Sequence, residues 1–221
     1  MRLTVNEKNK ILANEDKQLL NYGLVLRIYP SEEQKILINK TFGCSRFIYN
    51  KYLSDRKDCF LNTKTTLRAN KYKTDVMNPL KQEKDFLFLK EVDKFALEAA
   101  LENVEDAYSR FFKHQTKFPR FKSKKSAKKS YTTKFTNNNI KVDLNRIVIQ
   151  LPKLKEVLFA LPKRNQTNNK ILNIGKVTTK ITKAIISQKG TRYYVSLTEW
   201  AKFSHPLRWE MDSPYYFRLD T

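Results

Sequence analysis

A chain of 221 residues is long enough for one large or two small domains with a real core, and 40% hydrophobic content with 14 Phe and 11 Tyr excludes a disordered polymer. Its 44 basic residues stand against 22 acidic ones, a formal charge of +22 that calls for a polyanionic partner, with nucleic acid the default. No apolar run approaches the ~18 residues that span a bilayer. The first twenty residues lack a signal-peptide core, and Cys44 and Cys59 form no CxxC pair. Reduced thiols in a cytoplasmic, bacterial and nucleoid-associated setting are therefore expected.

In chain order, Tyr22, Leu24, Leu26 and Ile28 alternate with Gly23, Val25, Arg27 and Tyr29, which predicts a strand ending at Pro30. Ser31 with Gln34 three residues on reads as a capping box, so a helix should start there. A second helix is expected after Gly43, with Phe47, Ile48, Tyr52 and Leu53 at helical spacing; the pair would form a helix-turn-helix-like hairpin. Residues 61 to 80 are polar, interrupted by Pro79, and read as a connector with at most one helical turn. From an N-cap at Asp93, Leu97, Leu101, Val104, Tyr108 and Phe111 step by 4 or 3, predicting a long amphipathic helix to about Lys113.

Residues 113 to 139 then carry nine Lys or Arg, no Asp or Glu, and five aromatic or His residues. Such interleaving suits a polyanion: cations neutralise phosphates and release counterions, and aromatic rings stack on unpaired bases or anchor the segment. Phe111, Phe112 and Phe135 read as core. Arg120, Lys122, Lys124, Lys125, Lys128 and Lys129 read as contacts to the nucleic-acid backbone. Beyond them IKVDLNRIVIQL predicts strand, turn at Asp143 to Asn145, strand, and ISQKGTRYYVSL predicts a hairpin at Lys189-Gly190. Strand, helices, then strands suggest an α+β fold, a small β-barrel whose first strand is separated from the rest by a helical insertion. The last residues, from Thr198, hold both Trp and do not continue the alternation.

The segments YGLVLRIYPSEEQKILINKTFGCSRFIYNKYLSDRK, FLKEVDKFALEAALENVEDAYSRFFK, FPRFKSKKSAKKSYTTKFTNNNI and IVIQLPKLKEV together resemble the N-terminal half of the OrfB/TnpB family. Four motifs in the same order make the likeness specific over about residues 21 to 197. The resemblance implies transposase-associated, RNA-guided DNA nucleases in which a wedge-type, OB-like barrel is split by a helical recognition domain. It implies an N-terminal extension over 1–20, the barrel over 21–29 and 131–197, the helical domain with its basic stretch over 30–130, and an unrelated tail over 198–221.

The same resemblance implies partners and roles. Guide RNA pairs with the long target, and the protein reads a short motif in flanking double-stranded DNA. It assigns that reading to Lys94 and Phe95 at the start of the long helix and to Thr136 and Asn137 in the TNNN loop. Lys donates to base or phosphate, Phe meets a thymine methyl, and Asn pairs with adenine. Glu98 departs from the amide of close relatives and would set a carboxylate against DNA. Arg46 and Lys51, with Arg56 and Lys57 beyond them, are further candidates for DNA contact on the second helix. The family's nuclease strand, G-[IV]-D-[LV]-G, and its zinc ribbon have no counterpart after YYVSL. A protein that binds without cutting is therefore expected, with no catalytic residue, metal or cofactor. Two other readings stand beside it: half of a split nuclease acting in trans with a separate nuclease-domain chain, and an inert frameshifted remnant.

Overall fold

Period-two burial appears in β1 (Lys17–Tyr29), where Leu24, Leu26 and Ile28 are buried between exposed Gly23, Val25, Arg27 and Tyr29. This computed structural model describes residues 5–14, 17–125, 129–161 and 180–204. Before β1, the short α1 (Val5–Ala13) packs on it. After Pro30, Ser31 caps α2 (Glu32–Thr63) with the full box: Ser31 Oγ accepts from the Gln34 N–H at 3.3 Å, and Gln34 Oε1 accepts from the Ser31 N–H at 2.9 Å. The Gln34 amide also donates to the carbonyls of Leu154 and Glu156, each at 2.8 Å, so one residue starts the helix and fastens it to the sheet.

The expected break at Gly43 does not occur. α2 runs unbroken for 32 residues, and the two-helix hairpin is replaced by a single rod. A helical glycine costs about 1 kcal/mol, but burial on both sides of Gly43 outweighs it. Ile38 and Phe42 enter one hydrophobic core, and Cys44, Ile48, Tyr49, Tyr52 and Leu53 enter another. The connector is likewise more helical than its polarity suggests. It forms α3 (Ala69–Tyr72), a wide π turn over Lys73–Met77 and α4 (Asn78–Leu80), because Tyr72, Met77 and Leu80 are buried in the helical core. A 3₁₀ segment (Lys84–Lys90) leads to α5 (Lys94–Phe112), whose N-cap Asp93 accepts the Phe95 N–H at 3.0 Å.

The remaining strands are β2 (Lys129–Lys134), β3 (Lys141–Asp143), β4 (Val148–Leu151), β5 (Lys155–Phe159), β6 (Lys180–Lys189) and β7 (Arg192–Ser204). They form an antiparallel sheet in the order β2-β6-β7-β1-β5-β4-β3. The first strand therefore pairs with strands that come after the helices, more than a hundred residues along the chain from it. The β6–β7 hairpin turns at Gly190, whose φ of +58° is the left-handed conformation glycine adopts without strain. β1 begins at Lys17 rather than at residue 21, and β7 continues past Thr198. Lys17 pairs with Ser204, Gly23 with Thr198 and Ile28 with Tyr193, so backbone pairing overrides the lost alternation.

The expected closed barrel is an open sheet among the described residues, with β2 and β3 at its edges. Helix side chains take the place of the closing ladder: Ile38, Phe42 and Ala96 join buried residues from β1, β2, β4, β5, β6 and β7 in one core. The second core, between α2, α5 and the short helices, contains Tyr52, Tyr72, Leu101 and Val104. Among the described residues no helix is long and apolar enough to cross a membrane.

Candidate nucleic-acid interface

The basic segment leaves α5 as a strap laid across α2. α5 ends at Phe112, and His114 turns the chain with φ +56°. Phe118 then anchors it edge-on to Tyr108 at 5.6 Å and to Phe111 at 5.3 Å. Four residues later Asn50 of α2 grips the backbone of Lys122 from both sides: its Oδ1 accepts the Lys122 N–H at 2.8 Å, and its amide donates to the Lys122 carbonyl at 3.0 Å. The Lys122 ammonium lies over the Tyr49 ring, 4.0 Å from its centroid. The next described residue beyond Lys125 is Lys129, where β2 begins.

Between strap, α2, α5 and β2 lies a cleft of about 700 Å³. Ala96 and Ala100 of α5 line it together with Tyr49, Phe121 and Tyr131. Arg46, Lys122, Lys124 and Lys129 bring four cations to it from three separate elements, and among the described residues no Asp or Glu lines it. Of the residues expected to contact nucleic acid, these four are brought together. Arg120 and Lys125 are exposed on the strap outside the lining, and Lys128 lies outside the described residues. Lys51 is also outside it, half-buried and paired with Asp55 at 3.1 Å, which accepts the Tyr72 hydroxyl as well at 2.6 Å.

The motif-reading candidates occupy a different place. Lys94 is exposed with its ammonium 4.9 Å from the centroid of the half-buried Phe95 ring. Thr136 and Asn137 belong to a tight turn after β2, where Asn137 and Asn138 have φ of +48° and +59°. Asn139 closes the turn: its Oδ1 accepts the Thr136 N–H at 2.8 Å, and its amide donates to the Lys134 carbonyl at 3.0 Å. Three consecutive Asn are the sequence signal for such a turn, since Asn tolerates the left-handed region. Asn137 is thereby displayed at an exposed tip.

Several expectations change at this level. Arg56 is not a phosphate contact; it is buried, 2.7 Å from Glu105 and stacked over the Tyr108 ring at 4.2 Å. Glu98 is not a bare carboxylate, because Lys73 pairs with it at 2.8 Å and the charge of Lys81 lies close by. Burial holds the Lys81 ammonium below its usual range, and Glu98 opposes that shift. Phe112, read as core, is 67% exposed and stacks on Tyr108, while Phe135 does pack against the sheet core. Asn50 and Tyr49 had no signal of their own, since their roles depend on a strap 72 residues away. Among the described residues no group of three or more His, Cys, Asp and Glu is placed to hold a metal.

Residues 21–64, the end of β1 and all of α2, match the helix-turn-helix domain model of the IS605 OrfB type. A virulence protein, VsdF, of Salmonella dublin is 34% identical over a region that covers 44% of this chain and 88% of that protein. The chain belongs to the OrfB/TnpB family. A putative RNA-guided DNA endonuclease of Streptomyces pristinaespiralis is 32% identical over 47% of this chain but only 26% of its own length. The chain thus spans about a quarter of that relative, and the matched family domain lies in the N-terminal, transposase-associated region. In this member the family's helix-turn-helix segment is a strand and one continuous helix, and that helix supplies Arg46 and Tyr49 to the cleft.

Proposed function

We propose that this chain is the nucleic-acid-binding portion of a transposase-associated, RNA-guided system, holding guide RNA and motif-flanked target DNA. The observation that supports it best is the convergence of Arg46, Lys122, Lys124 and Lys129 on one cleft with no carboxylate among the described residues of its lining. An ordinary solvated face intersperses both signs of charge; this one concentrates a single sign where strap, helices and sheet meet. Arg120 and Lys125 extend the same positive track, and Lys128 adds a further cation to the segment in sequence. Lys94, Phe95, Thr136 and Asn137 are proposed to read the flanking motif, with Glu98 held back by Lys73. On this reading residues 21–29 and 131–197 act as a wedge-type body, residues 30–130 as the recognition part, and 1–20 and 198–221 as its flanks.

On this reading these 221 residues bind without cutting. The 221 residues contain no G-[IV]-D-[LV]-G strand, and RuvC-like hydrolysis requires several carboxylates around two metal ions. The chain incubated with Mg²⁺, guide RNA and target DNA is expected to leave the DNA intact. Cleavage that survives repurification would refute this part.

The affinity of the chain is expected to fall steeply with salt, at a log-log slope of about −0.9 per phosphate neutralised on duplex DNA. Changing Arg46, Lys122, Lys124 and Lys129 together to Gln should flatten that slope by roughly 3 to 4. An unchanged slope would assign these side chains to solvent and remove the main support for the reading.

A further inference from the structure

Four aromatic residues thread the strap and its continuation, and the fold uses three of them internally. Phe118 packs edge-on against Tyr108 and Phe111. Tyr131 is buried, with its ring 5.7 Å from Phe42 in a T-shaped contact. Phe135 packs on the sheet core. Phe121 is different: it is 62% exposed, lines the cleft, and has no ring partner among the described residues. The double hydrogen bond from Asn50 to the neighbouring Lys122 backbone holds it there, so the exposed ring sits on an anchored segment.

We infer that the cleft takes an unpaired base of a single strand, stacked on Phe121, with the adjoining phosphates on Arg46, Lys122, Lys124 and Lys129. This rests on the nucleic-acid reading above and names what that surface selects. Three observations carry it. The volume, about 700 Å³, lies within the range of ~300–1,000 Å³ typical of sites that enclose a small ligand. The lining joins aromatic and small apolar residues to Asn103, Ser123, Ser130 and Thr132, which offer hydrogen bonds to base edges. Its charged members among the described residues are all cations, which complements a phosphate on either side of the base and repels a basic protein segment. A paired duplex hides its base faces within the stack, so it engages the rim cations and leaves Phe121 unused.

The test compares fluorescence anisotropy of the full chain with four labelled probes of equal phosphate number: oligo-dT, oligo-rU, a blunt DNA duplex and a DNA strand of abasic sites. Phe121→Ser, at an exposed position, should weaken dT or rU binding about tenfold, as loss of one stacked base implies, while duplex affinity and the salt slope stay unchanged. Asn103→Leu, which narrows the cleft from an exposed site on α5 without altering charge, should act in the same sense. Wild-type protein should also bind the abasic strand about tenfold more weakly than dT. Preference for either sugar supports the inference. Equal binding of dT, rU and abasic strands, or an equal loss on duplex and single strands in Phe121→Ser, would overturn it. Absence of binding to every probe would instead defeat the underlying nucleic-acid reading.

Discussion

Arg56 gives up hydration to sit 2.7 Å from Glu105, and its neighbours complete the exchange. Tyr52 donates to the same carboxylate, as does the Ala69 N–H at 2.9 Å, and Tyr108 covers the guanidinium. Burial works to raise the Glu105 carboxyl, but Tyr52, Arg56 and Ala69 outweigh it and hold it below its ordinary 4.5. Its contribution to stability is therefore present above pH 4.5 and lost as pH falls through the folded value. Arg56→Met should cost about 3 kcal/mol in denaturant unfolding at pH 7, the low end for a broken buried pair, because the Glu105 side chain keeps 25% of its surface exposed. Asp93 works in the opposite sense. Burial pushes its carboxyl above the usual 3.8, outweighing the Thr133 hydroxyl and the Phe95 N–H, which act to lower it. The stability tied to its neutral form is present below pH 3.8 and lost as pH rises through the folded value. Asp93→Asn keeps the cap to Phe95 and removes the buried charge, so at pH 7 it should melt at or above wild type, whereas Asp93→Ala should lose about 1 kcal/mol. Equal losses in both variants would show that the carboxylate charge itself stabilises the fold.

At the scale of elements, α2 joins the molecule together. Its N-terminal turns belong to the sheet core and its middle to the helical core, with the change at Gly43. A Cβ at Gly43 would meet nothing within 4 Å, so Gly43→Ala should stabilise the chain by about 0.5–1 kcal/mol and leave nucleic-acid affinity unchanged. Destabilisation would mean that a hinge at this position matters to the fold after all. The strap depends on α2 through Asn50. Two backbone hydrogen bonds at ~0.5–1.5 kcal/mol each resist its release, so Asn50→Ala should speed tryptic cleavage between Arg120 and Lys125 while scarcely moving the melting temperature. Cleavage at the wild-type rate would show that Phe118 and the Tyr49–Lys122 contact hold the strap alone. Local signals made the starts of α2 and α5 legible, since Ser31–Gln34 and Asp93–Phe95 are contacts within three residues. The Asn50–Lys122 grip was not legible, because nothing near Asn50 in sequence distinguishes it from a solvated helix residue.

For the whole molecule, the longest ladder joins the two regions that sequence pattern places outside the body. Lys17–Leu20 pair with Ala201–Ser204, beyond the reach of β6, whose pairing with β7 ends at Trp200. Ala201→Pro removes a backbone donor from this two-strand extension. Hydrogen exchange at Lys17–Leu20 should then lose protection while Leu24–Ile28, held between β7 and the core, keeps it. Loss of protection across all of β1 would mean that the extension is coupled to global unfolding.

What the sequence by itself determined is the part set by composition and by short-range chemistry. It includes the charge excess, the alternating strand at Leu24–Ile28, the helix caps, the turn at Gly190 and the family motifs. What only the tertiary structure decided depends on partners far along the chain. β1 lies between β7 and β5, α2 passes Gly43 without a turn, and Arg56 is withdrawn from solvent while Arg46 reaches the cleft. The physical reason is burial: whether a cation pairs or a ring stays exposed is settled by the surface that folds against it. That surface came from residues 72 positions away for Asn50 and 120 positions away for Gln34, distances over which neither period nor propensity carries information.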